Sequence, residues 1–185
     1  MTTIKILGFA GSLRKNSYNK AILRAAKDLL PENAGLEIFD LAGIPPYNQD
    51  LEMQLPETVT AFKAKIKAAD AILIATPEYN YSVPGVLKNA LDWGSRPYGE
   101  NSFNDKPLAI IGASIGQGGS SRAQYHLRQS CVALNMHPLN KPEVMLANAQ
   151  DKINSNNILT DDYIKDLIRM LLNNLVIQAT RLKRQ

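Results

Sequence analysis

Ile4-Lys5-Ile6-Leu7-Gly8-Phe9-Ala10-Gly11-Ser12-Leu13-Arg14-Lys15-Asn16-Ser17-Tyr18-Asn19 is the stretch on which the fold turns. Its first seven residues are an apolar run that ends in glycine and serine, the pattern of a buried strand entering a loop. Asn16 or Ser17 then offers a cap to a helix whose apolar residues Ile22, Ala26, Leu29 and Leu30 recur at helical spacing until Pro31. Strand, loop and helix form one unit.

The unit repeats along the chain. Residues 36–41 read as a second strand, and residues 43–56, with Pro45 and Pro46, as an irregular loop. Residues 56–69 have helical character, with Val59, Phe62, Ile66 and Ala69 on one face, and Ala71–Ala75 is an uninterrupted apolar strand. Residues 82–93 form a helix with Pro84 in its first turn, residues 106–113 a fourth strand, and residues 120–134 a fourth helix. A fifth strand is expected at residues 142–146. A long amphipathic helix closes the chain, with Thr160 as cap, Asp161 and Asp162 in its first turn, and Ile164, Leu167, Ile168, Leu171, Leu175 and Ala179 on its apolar face. Uninterrupted apolar runs belong to parallel strands covered on both faces. Five strands alternating with five helices therefore predict an α/β doubly wound sheet with helices on both faces. At 185 residues, without an internal repeat or a linker, residues 1–185 are expected to form one domain.

Charge and composition narrow the function. The formal net charge is +4, but lysines and arginines are scattered, and the one small cluster, Arg181, Lys183 and Arg184, complements the negative end of a helix. Without a localised basic face or interleaved aromatic and basic residues, no nucleic-acid partner is expected. The single Cys131 lies between Gln129, Ser130, Val132 and Ala133 in a helical stretch and reads as a packing residue. With His126 and His137 as the only histidines, neither a metal site nor a Cys/His catalytic pair is expected. Residues 1–10 hold one lysine and too short an apolar stretch for a signal peptide, and no segment reaches the roughly 20 apolar residues of a membrane helix. The expectation is a cytoplasmic protein with no membrane partner.

In doubly wound sheets ligands sit beyond the carboxyl ends of the strands, so three loops matter. After the first strand, Gly11 permits a tight turn, and Ser12, Ser17 and Asn19 offer short polar side chains. Arg14 and the amides of the helix start add the donors and positive charge that a phosphate dianion requires. No Gly-Lys pair occurs in the chain, which excludes a Walker-type loop, and Gly8 and Gly11 lack dinucleotide spacing, which leaves a monophosphate site. A plain strand-to-helix turn accounts for Gly11 and the cap but not for this density of donors. After the third strand, Thr76-Pro77-Glu78-Tyr79-Asn80-Tyr81-Ser82-Val83-Pro84-Gly85 gives a stiff aromatic surface suited to a planar ring, although Tyr-rich turns also serve subunit contacts. After the fourth, Ser114-Ile115-Gly116-Gln117-Gly118-Gly119-Ser120-Ser121 lets a ligand approach the backbone closely, and Ser121 stands where a dinucleotide loop would have its last glycine.

Gly11-Ser12-Leu13-Arg14 with Asn19, Pro77-Glu78-Tyr79-Asn80 with Pro84-Gly85, and the glycine-rich loop resemble the NAD(P)H-dependent FMN reductase family, including its quinone- and chromate-reducing members, over residues 4–146. The resemblance implies a flavodoxin-like five-stranded parallel sheet of order 2-1-3-4-5, FMN as cofactor and NAD(P)H as co-substrate. It implies that Ser12, Arg14, Ser17, Tyr18 and Asn19 hold the FMN phosphate and ribityl chain. Pro77, Glu78, Tyr79 and Asn80 then bound the isoalloxazine, and Ser114 and Gly116 line its far side. Members form dimers and tetramers: residues 91–97 look like the segment turned to a neighbouring subunit, and Arg122, Tyr125 and Glu143 are similar to positions that join dimers, or else are ordinary helix-surface charge. The sequence departs from the family at residues 116–121.

The implied reaction passes a hydride from the nicotinamide to the flavin N5 and then on to flavin, quinone or a similar small acceptor such as an azo dye or chromate, with ping-pong kinetics and no catalytic side chain. The rival is a flavodoxin-type carrier that passes single electrons to a protein partner. Such carriers are commonly acidic, whereas this chain is basic and holds Arg14 in its phosphate loop.

Overall fold

The apolar runs lie where burial on both faces requires them. In the computed structural model, which describes residues 3–183, β1 (Ile4–Ala10), β3 (Ala71–Ala75) and β4 (Pro107–Ala113) form the centre of a parallel sheet. β2 (Ala34–Phe39) flanks β1 as a half-exposed edge. The fifth position is shared by two short strands, β5 (His137–Pro138) and β6 (Val144–Leu146), both parallel to β4. The strand order is β2-β1-β3-β4-β5, the flavodoxin-like order.

Alternation along the strands feeds two separate cores. Ile4, Ile6 and Ala10 of β1 pack with α1 (Tyr18–Asp28) and α6 (Asp162–Leu182), while Leu7 and Phe9 pack with α2 (Glu57–Ala68), α3 (Gly85–Gly94) and α4 (Ser121–Ala133). In the second core the Phe62 ring meets Phe9 edge-on at 5.3 Å. Cys131 is buried there, and that burial pushes its thiol up to about 12, so at neutral pH it is a packing group and not a thiolate. Among the described residues no helix is long and apolar enough to cross a membrane. Arg184 of the basic cluster lies outside the described residues; Lys183 pairs with Asp70 at 2.7 Å.

Several boundaries differ from the sequence reading for local reasons. The expected strand at 142–146 shrinks to β6, because Pro142 lacks an N–H for the ladder and the chain from Pro138 to Val144 takes more residues than β4 needs from Leu108 to Ile111; the surplus loops out. The helix expected at 82–93 starts at Gly85, with Pro84 as its N-cap, since Ser82 is held in a turn and the residue before a proline is disfavoured in the helical region. Asp161, not Thr160, caps α6, accepting the Ile164 N–H at 2.9 Å. Ser17 rather than Asn16 caps α1, and the second strand lies two residues earlier than read. A single 3-10 turn (Gln49–Leu51) and the four-residue α5 (Ala149–Lys152) carried no periodic signal.

Candidate functional site

Because β1, β3 and β4 are adjacent and parallel, the loops that follow them open on one edge of the sheet. The Gly11 N–H donates to the Ala75 carbonyl and the Thr76 N–H to the Ile111 carbonyl, each at 2.9 Å, so Ser12 and Pro77 leave the sheet side by side. Ala10, Ala75 and Ala113, at the strand ends, share the core layer of α1. Their small side chains let the first turn of α1 sink against the sheet.

Asn19 exploits this closeness. Its Nδ2 donates to the Ala113 carbonyl and its Oδ1 accepts the Ala113 N–H, both at 2.9 Å and both buried. The carboxamide thus ties the first loop to the base of the third. Ser12 and Ser17 are also buried, Ser12 Oγ accepting from the Arg14 N–H and Ser17 Oγ from the Lys20 N–H, each at 3.4 Å. The amides of Tyr18 and Asn19, in the first turn of α1, have no intrahelical acceptor, and the helix end carries partial positive charge. Arg14 is exposed, its guanidinium 5.1 Å from the Tyr18 ring centre. Two hydroxyls, first-turn amides and a guanidinium are donor types from which a phosphomonoester can accept hydrogen bonds.

The loop after β3 is built differently. Tyr79 and Ser82 exchange backbone hydrogen bonds at 3.1 and 2.9 Å around Asn80 and Tyr81, which have φ of 49° and 63°. Two positive φ values at the centre of a reciprocal pair make a type I′ turn. Thr76 Oγ1 donates to the Pro77 carbonyl at 2.8 Å, and Ser82 Oγ meets His126 Nδ1 at 3.0 Å. Glu78 points to α4: Oε2 accepts the N–H groups of Arg122 (2.9 Å) and Ala123 (3.2 Å), and Oε1 accepts Arg122 Nε–H at 2.7 Å. The Arg122 guanidinium lies 3.6 Å from the Tyr81 ring centre.

The loop after β4 holds Ser114 half-buried, its Oγ accepting the Gly116 N–H at 3.1 Å, while residues 115–118 are exposed. Two glycines beneath and within it are close-approach positions. A Cβ on Gly112 would lie 1.8 Å from Ser120 Oγ and 2.6 Å from the Thr76 carbonyl oxygen, and one on Gly119, at φ 53°, 2.5 Å from the Met145 carbonyl oxygen. Gln124, fully buried, donates to Ser120 Oγ (3.3 Å) and the Val144 carbonyl (2.9 Å), so it braces this loop from below. Gln124 belongs to no motif, but a polar residue in the buried stripe with Leu127 and Cys131 marks such a brace.

Of the positions read as subunit contacts, Tyr125 donates its hydroxyl to Glu143 at 2.9 Å, and Lys141 holds the other Glu143 oxygen at the same distance. Lys141 and then Tyr125 hold the Glu143 carboxyl below its ordinary range, and the Glu143 acceptor pushes the Tyr125 phenol up. Arg122 turns to Glu78 instead. In the 91–97 segment Trp93 is buried, donating to the Pro45 carbonyl at 2.8 Å, and Arg96 pairs with Glu52 at 2.6 Å.

The model of a family described as NADPH-dependent FMN reductase matches residues 4–151. The chain is 51% identical over 181 residues to an NAD(P)H-dependent FMN reductase of Pseudomonas aeruginosa, covering 97% of each. It is 45% identical over 165 residues to a 2-hydroxy-1,4-benzoquinone reductase of a Burkholderia species, covering 89% of this chain and 90% of that one. Among solved structures, FerB, a flavoenzyme NAD(P)H:(acceptor) oxidoreductase from Paracoccus denitrificans, aligns with a TM-score of 0.88 at 31% identity, over 97% of this chain and 98% of that one.

Proposed function

The chain belongs to the NADPH-dependent FMN reductase family and is an FMN- and NAD(P)H-dependent oxidoreductase, and from that premise we propose that it reduces quinones at a site built from the three loops. The observation that carries the site is the first loop: buried Ser12 and Ser17, the amides of Tyr18 and Asn19 and the exposed Arg14 gather on one edge as donors for the FMN phosphate. Beside them, buried Pro77 and the rigid turn of Tyr79 and Asn80 give a floor for the ring, and Ser114 and Gly116 line its other side. When bound, FMN supplies the two-electron store between nicotinamide and acceptor.

The protein's part is to hold and orient. Tyr79, Tyr81 and Ile115, all exposed, leave the rim open to solvent, so a quinone that receives the equivalent of a hydride takes its remaining proton from water and leaves as the quinol. The quinone assignment is supported by the benzoquinone reductase at 45% identity. The protein works in the cytoplasm as a single-domain chain that assembles into a homodimer or homotetramer, with residues 91–97 and the Tyr125–Glu143 pair as contact segments; the exposed Tyr98 beside the first of these supports that reading.

An absorbance experiment tests the function. Purified protein shows a flavin spectrum, NADPH or NADH added without air bleaches it, and one equivalent of a benzoquinone restores it. A yellow protein inert to both nicotinamides, or a bleached one that the quinone does not reoxidise, refutes the assignment. Light scattering on the same sample reads the assembly.

A further inference from the structure

We propose that Glu78 is a positioning residue whose carboxylate masks the positive start of α4 and Arg122 and so sets the charge felt by the bound flavin; the inference rests on the three-loop FMN site proposed above. α4 begins without a local cap. Ser120, in the left-handed region at φ 72°, makes no side-chain cap among the described residues, and its hydroxyl accepts from Gln124. The first amides of a helix need outside acceptors and carry partial positive charge. Glu78 supplies the acceptor from a different loop, taking the Arg122 and Ala123 amides and the Arg122 side chain together. The Glu78 side chain is only 10% exposed, so its charge is weakly screened, whereas that of Arg122 is 48% exposed. Stacking on Tyr81 gives Arg122 a second anchor, which fixes the guanidinium near the mouth of the site.

Flavin gains negative charge on reduction. A bare helix start and a guanidinium at the edge of the loops after β3 and β4 would favour the reduced cofactor and hold back its electrons. With Glu78 in place that field is neutralised and the reduced cofactor remains a strong donor to the acceptor. This role differs from holding the ring, because it acts through α4, and loss of the anion and loss of the cation move the potential in opposite directions.

The test compares Glu78→Gln and Arg122→Gln as FMN-loaded proteins, with far-UV circular dichroism to read folding and anaerobic titration against a reference dye to read the midpoint potential. In Glu78→Gln, which keeps an acceptor for the α4 amides, the affinity ratio of reduced to oxidised FMN rises about tenfold, equal to about 30 mV for a two-electron couple. Reoxidation by a low-potential quinone slows while reduction by NADPH does not. In Arg122→Gln, where the carboxylate remains and the cation is gone, the potential shifts the opposite way. Shifts of the same sign in both variants, or an unchanged potential in a Glu78→Gln protein that binds FMN, overturn the inference. If Glu78→Gln fails to fold, Arg122→Gln decides by its sign alone. A folded wild-type protein that binds no FMN refutes the site itself, and with it this role.

Discussion

The loops after β1 and β3 lie side by side, and they use their polar groups in opposite ways. After β1, Arg14 is exposed and the first-turn amides of α1 lack intrahelical acceptors, so donors stay open. After β3, Thr76 bonds to Pro77, Ser82 to His126 and Tyr79, and Glu78 to α4, so the polar groups lock the loop itself. An anion site needs unsatisfied donors, and a surface for a flat ring needs stiffness. The stability that the first loop forgoes is supplied from behind, by Asn19. In the proposed site, binding and stability thus fall to different residues in the first loop and to the same residues in the other.

Asn19→Ala should do the most damage. It strips partners from both the N–H and the carbonyl of buried Ala113, and each unsatisfied buried group costs about 1 to 3 kcal/mol. A total loss of about 3 kcal/mol in urea unfolding is expected, with loosening of the first loop. A loss below about 1 kcal/mol would mean that water fills the gap and that Asn19 does not join the two loops.

Arg14→Ala separates the two quantities in the other direction. FMN binding weakens by about 1 to 3 kcal/mol, the scale of a lost charge-assisted hydrogen bond. Stability of the FMN-free protein stays within about 0.5 kcal/mol, as for an exposed side chain away from special features. Titration of FMN into the apoprotein reads the first and urea unfolding the second; unchanged FMN affinity removes Arg14 from the site.

The same contrast explains what the sequence revealed. β1 and β3 were legible to the residue, because a run such as Ala71–Ala75 has no other use than a strand buried on both faces. The candidate donors of the first loop could be named from the sequence because they are local: Ser12, Arg14 and Ser17 lie within six residues of one another. The contacts that lock the β3 loop could not, since its partners are remote. Nothing at Glu78 announces an α4 whose amides lie 44 residues on, and nothing at Asn19 announces Ala113, 94 residues on. The split fifth strand escaped because β5 is only His137–Pro138, too short to show a period. The turn at Asn80 escaped because the usual marker of a type I′ turn is Asn-Gly, and here Tyr81 stands in place of the glycine.

That substitution carries the smallest effect and the finest test. A non-glycine residue in the left-handed region carries roughly 1 to 2 kcal/mol of backbone strain, and Tyr81 holds φ 63°. Against this stands its stacking with the Arg122 guanidinium at 3.6 Å, worth about 0.5 to 1 kcal/mol at an exposed site. Tyr81→Gly removes both and creates the favoured Asn-Gly pair, so thermal unfolding should show stability unchanged or raised by up to about 1 kcal/mol. The turn keeps its shape, but Arg122 loses one of its two anchors and the rim loses an aromatic face. The expected signature is therefore an equally stable protein with a raised KM for quinone. A clear destabilisation would show instead that the ring packs as a structural element, and that in this loop, unlike the first, even the exposed side chains serve the fold.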